Sequence, residues 1–160
     1  MSELTTEQVE RIRDFVSALR SGAYDQTHHT LGRSVNDEKS YCCEGVAVER
    51  YGAALGYEVD WRTTHNYHST TENDTQLLWA RDTHYADGMY KNAPMQLWVD
   101  MGLAPDLNAD FAFELPSGLR LRDPEDTRLM FYDLNDDGFT FDQIADMIEW
   151  QFLHGVEVKA

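Results

Sequence analysis

The two ends of the chain constrain its fold most. In residues 5–20 the apolar side chains Val9, Ile12, Phe15, Val16 and Leu19 recur at spacings of three and four, the period of one helix face. Thr5 and Gln8 stand where a capping box needs them, and Ser21-Gly22 ends the pattern. Residues 140–153 repeat this plan, with Phe141, Ile144, Ala145, Ile148 and Phe152 as the stripe and Thr140 with Gln143 as a second capping box. Asp142 adds negative charge to the first turn, where the helix dipole favours it. Two amphipathic helices must bury their stripes, so the intervening chain has to help complete a core.

Residues 41–55 predict another helix, with Cys43, Val46, Ala47, Tyr51, Ala54 and Leu55 inward and Gly56 as its stop. Gly45 and Gly52 each weaken a helix by about 1 kcal/mol relative to Ala, so their presence there predicts close packing. Residues 24–40 are polar, lack an apolar period and read as a long loop. Runs rich in aromatic and β-branched residues predict strands at 57–63, 76–81 and 89–91, with Asp87-Gly88 as a turn. A short helix is predicted after Asn92-Ala93-Pro94, carrying Met95, Trp98, Val99 and Met101 and closed by Gly102. Residues 111–115 and 119–122, around Pro116-Ser117-Gly118, predict a hairpin. No repeat or low-complexity linker divides the 160 residues. The expected architecture is a single compact α+β domain over residues 1–160, its N- and C-terminal helices packed with a small antiparallel sheet.

Charge narrows the function classes. Asp+Glu number 29 against 13 Lys+Arg, a formal net charge of -16, while 42% hydrophobic residues suffice for a core. Phosphate binding needs a basic face, and the basic cluster here is the short stretch holding Arg120, Arg122 and Arg128, which argues against direct nucleic-acid binding. Such a protein suits a basic partner, including the DNA-binding surface of another protein, which carboxylates would imitate; the same charge also confers solubility. The opening MSELTTEQVE has neither a basic nor an apolar signal region, and no stretch of about 18 apolar residues occurs, so a cytoplasmic location without membrane association is expected.

Three patterns could carry chemistry. Asp133, Asn135 and Asp137, followed by Gly138, place oxygen ligands at alternate positions as a calcium loop does at its start. The rest of that loop departs, with Thr140 where an aliphatic residue belongs and Ile144 where a bidentate Glu is needed. A turn with a helix cap accounts for the same residues. Apart from this candidate Ca2+ loop, no cofactor is expected. Cys42 and Cys43 are adjacent, which disfavours a disulfide between them, and a cysteine at a helix N-terminus acquires nucleophilic character. The stretch Cys43-Glu44-Gly45-Val46 resembles the nucleophile segment of NlpC/P60-type cysteine peptidases, with His65, His68 or His84 downstream as a candidate base. Small buried cysteines are the commoner reading. His28-His29 lacks metal-ligand spacing with a partner motif. Trp61, Tyr67, Trp79, Tyr85 and Tyr90 could form a recognition surface, though strands of a small sheet also enrich aromatics.

Three segments together, residues 15–26 (FVSALRSGAYDQ), 41–46 (YCCEGV) and 134–149 (LNDDGFTFDQIADMIE), resemble a family of small uncharacterised phage and prophage proteins. Such proteins read Tyr-Cys-Cys-Leu-Gly-Val in the second segment, where this chain carries Glu44 in place of Leu. The resemblance implies a phage or prophage origin and no activity. Together with the charge, it leads to the expectation of an accessory protein that binds a host or competing-phage macromolecule in the bacterial cytoplasm. A Cys42- or Cys43-dependent hydrolase and a calcium-stabilised structural domain are the alternatives.

Overall fold

The computed structural model describes residues 3–56, 59–65, 74–80, 89–90, 93, 95–104 and 131–154. The chain is α+β, as its patterning predicts, with helices at both ends and a small sheet between them in sequence. It forms two compact units, Met1–Ala23 with Pro94–Ala160 and Tyr24–Ala93.

The described elements of the first unit are helices. α1 (Thr6–Arg20) begins at the expected capping box: the Thr5 hydroxyl accepts from the Gln8 amide at 3.1 Å, and the Gln8 side chain accepts from the Thr5 amide at 3.0 Å. Val9, Ile12, Phe15, Val16 and Leu19 are buried, the predicted stripe. α3 (Met95–Met101) closes where Gly102 takes φ 86°, and the Leu103 amide donates back to the Trp98 carbonyl at 2.9 Å. Trp98 is fully buried between the rings of Phe15 and Phe131, at centroid distances of 6.2 and 4.5 Å. Each such side chain contributes roughly 1.5–3 kcal/mol through burial.

The predicted turn before the last helix is partly a helix itself, α4 (Phe131–Asp136). Gly138, at φ 95°, ends it, with the Phe139 amide donating to the Leu134 carbonyl at 3.2 Å. α5 (Phe141–Ile148) then starts at the second capping box, Thr140 with Gln143, and packs along α1. Its last turns widen into a π-helix, Glu149–Leu153. Phe152, placed on the core stripe by the helical period, is only half-buried, and Met147 is buried instead.

The second unit is a sheet with one helix. Residues 24–40, read as a loop from their polarity, contain three strands: β1 (Asp25–Gln26), β2 (Gly32–Val35) and β3 (Glu38–Tyr41). The apolar period is missing because the inward positions of β2 are Gly32 and Ser34. Asn36 and Asp37, at φ 50° and 66°, form the two-residue connection between β2 and β3, a left-handed geometry these two residue types tolerate. β4 (Asp60–His65), β5 (Asp74–Ala80) and β6 (Met89–Tyr90) complete the sheet, in order β1-β3-β2-β5-β4 with β6 also on β5. Four pairings are antiparallel, but β1 joins β3 in parallel, so the sheet is mixed rather than wholly antiparallel.

α2 (Cys43–Tyr51) is shorter than the predicted 41–55 at both ends. Tyr41 belongs to β3, and Cys42 is the N-cap residue, its amide donating to the Leu31 carbonyl at 3.1 Å. The predicted close packing at both glycines is present: a Cβ on Gly45 would strike the Leu31 carbonyl oxygen, and one on Gly52 would meet Val59 Cγ2 at 2.5 Å. The hairpin predicted at 111–122 lies outside the described residues.

Candidate functional site

The helical period sets the outer face of the C-terminal segment. Asp142, Asp146, Glu149 and Trp150 follow one another at i, i+4, i+7 and i+8, opposite the buried stripe, so they share one side of the helix. All four are exposed. The whole run 131–154 carries six carboxylates, Asp133, Asp136, Asp137, Asp142, Asp146 and Glu149, and no Lys or Arg. Each of the six is at least partly exposed.

Arg20 reaches this face from α1. Arg20 donates to Asp146 at 2.5 Å and to Glu149 at 2.6 Å, tying the two helices together at their surface. The hydrogen bonds to Glu149 and Asp146, in that order, hold the guanidinium above its ordinary pKa. Because all three side chains are well solvated, the bridge contributes little to stability, about 0–1 kcal/mol per pair. Beside it an open groove of about 490 Å³ is lined by Arg13, Val16, Ser17 and Arg20 of α1 with Glu149 and Leu153 of the π-turn.

Trp150 was not singled out by any motif. It is 48% exposed, the exposed large hydrophobic among the described residues, and its ring stacks on His154 at 4.2 Å and 30°. A signal for it does exist in the sequence, since position 150 falls off the apolar stripe of its own helix.

Of the predicted chemical residues, those of the acidic run and the two cysteines lie among the described residues. Asp133 and Asn135 are helical residues of α4, two apart and therefore about 200° around the axis. Asn135 is fully buried, and Asp133 and Asp137 are partly exposed. The Asp133 carbonyl accepts the Asp137 amide at 2.8 Å. The Asn-Asp-Asp-Gly run thus lies at the C-terminal end of α4.

Cys42 and Cys43 are thiols outside any disulfide at the N-terminus of α2 and are only 3% and 0% exposed, which denies a substrate access to either sulfur in this conformation. Glu44, beside them, is also fully buried, so a carboxyl occupies a site with the enclosure that Leu would need. The candidate base His84, with His68, Tyr67, Tyr85 and the basic stretch 120–128, lies outside the described residues, and of His65 only its place in β4 is described. His28 and His29 are exposed neighbours with ring centroids 6.4 Å apart.

Part of the aromatic group belongs to the sheet. Trp61, Trp79 and Tyr90 are direct partners across β4, β5 and β6. Trp61 packs on Tyr41 at 5.6 Å, Tyr41 meets Tyr24 edge-on at 6.1 Å, and the Trp61 indole donates to Glu49. Burial, then Glu49 and Tyr24, push the Tyr41 phenol up to about 12.

No helix of the described residues is long and apolar enough to cross a membrane. No curated protein and no solved structure shows significant similarity to the chain. The family model described as "Domain of unknown function (DUF8296)" matches residues 9–152, nearly the whole chain, and the protein therefore belongs to that family.

Proposed function

We propose that the protein is a phage-derived accessory protein that acts in the host cytoplasm by binding, without catalysis, a basic host or competitor protein of the kind that handles nucleic acid. The observation that carries this reading is the run of six carboxylates without a Lys or Arg over residues 131–154, all with exposed surface. Asp146 and Glu149 share the single positive charge of Arg20, Asp142 is exposed and Asp133, Asp136 and Asp137 are partly exposed, in a chain of net charge -16. Such a surface attracts cationic partners and repels phosphate backbones, so it favours a protein target over nucleic acid. The resemblance of residues 15–26, 41–46 and 134–149 to phage and prophage proteins supports the origin.

The test is capture from nuclease-treated bacterial lysate with the tagged chain, at low and at moderate salt, followed by mass spectrometry. A stoichiometric basic protein, lost as salt shortens the screening length, is the expected result. Recovery of no partner at either salt sinks the proposal.

A further inference from the structure

We infer that the outer face of α5 and its π-turn, centred on Trp150, is the surface that engages the partner, and that the partner presents an Arg- and Lys-rich amphipathic segment there. The inference rests on the binding function proposed above and names its surface.

An indole held at 48% exposure keeps much of its apolar area in water. Tryptophan at such a position is characteristic of binding hot spots, because a flat, stiff ring buries a large area at small entropic cost. Stacking on His154 at 4.2 Å holds the ring against its own helix and so further lowers the cost of ordering it. Trp150 also sits within the π-turn, a departure from α geometry found frequently at functional sites.

The groove gives the face relief. Leu153, with the edge of Val16, supplies apolar lining between the polar groups of Arg13, Ser17, Arg20 and Glu149. A flat acidic helix would offer nothing of the kind.

Charge selects the occupant. Asp142, Asp146 and Glu149 precede Trp150 on the same face, and Arg20 bridges the last two of them. A cationic segment finds carboxylates for its charged groups, an indole face for cation–π contact with Arg, and the groove for an apolar side chain. From Asp142 to Trp150 the helix rises about 12 Å, enough to face two turns of a partner helix. Arg13 and Arg20 line the groove, so a cationic segment sets its charged groups along Asp142, Asp146 and Glu149 rather than within the groove.

A fluorescently labelled peptide of about 14 residues, Arg and Leu in a helical amphipathic pattern, titrated by anisotropy against the full chain, tests this. Trp150→Ala and Asp142→Lys alter the face at exposed positions, while Glu38→Lys makes the same charge change at an exposed position on β3. Wild-type binding is expected, weakened about tenfold or more by Trp150→Ala and by Asp142→Lys, and less than about twofold by Glu38→Lys. Thermal melts of the variants establish that they fold, and the Asp142 substitution stands on its own if the Trp150 variant does not. Equal weakening by the two Lys substitutions with no effect of Trp150→Ala overturns the surface while leaving a net-charge attraction to basic proteins intact. A peptide that fails to bind the wild type overturns the inference outright, and the proposed binding function then stands or falls on the lysate capture alone.

Discussion

Substitution of Gly45 by Ala sets local propensity against packing within one residue. Gly45 lies inside α2, and replacing a helical Gly with Ala in isolation stabilises by about 1 kcal/mol. Here the new Cβ would sit well inside 3.0 Å of the Leu31 carbonyl oxygen and 3.1 Å from Tyr41 Cβ. The Leu31 carbonyl cannot retreat freely, because it accepts the Cys42 amide at the start of the same helix at 3.1 Å. Overpacking of a tight site costs roughly 1–3 kcal/mol, and loss of that hydrogen bond about 1 kcal/mol more. Subtracting the propensity gain leaves a net loss of roughly 2 kcal/mol. For a chain of 160 residues this lowers Tm by roughly 4–8 °C. Thermal and urea unfolding of Gly45→Ala against wild type measure it. A Tm equal to or above that of wild type would refute the close approach of the Leu31 carbonyl to α2.

Alkaline stability reports on Tyr41. Its phenol is raised to about 12 by burial, Glu49 and Tyr24, so the folded state keeps a proton that the unfolded chain releases near pH 10. The resulting stabilisation is complete below about pH 10 and is lost as pH rises towards 12. The stability difference between wild type and Tyr41→Phe should shrink across that window, and parallel pH profiles would contradict the assignment. Thiol accessibility separates binding from cysteine chemistry: Cys42 and Cys43, both buried, should react slowly with iodoacetamide in the native protein and fully once it is unfolded in denaturant. Rapid native alkylation near neutral pH would revive the hydrolase reading.

The sequence by itself determined what local chemistry decides. Both capping boxes, the α1 stripe, the stop at Gly102 and the tight packing at Gly45 and Gly52 follow from side-chain type and spacing, because each depends on groups within a few residues or on the cost of leaving a glycine in a helix. What it left open required groups distant in the chain. β1 pairs in parallel with β3, and β2 with β5 some forty residues on, through strands whose inward residues are Gly32 and Ser34 rather than Val or Ile. No apolar period marks such strands, since their fit depends on what the neighbouring strand and helix leave room for. The Asp133 to Gly138 run was ambiguous for the same reason: helix end and metal loop use the same residue types, and the burial of Asn135 and Leu134 settles the geometry as helical. Tertiary packing decided which side of the last helix faces outward. Burial of Ile144, Ala145 and Ile148 turns Asp142, Asp146, Glu149 and Trp150 outward together, and the packing of α5 on α1 brings Arg20, more than a hundred residues away in the chain, onto two of them.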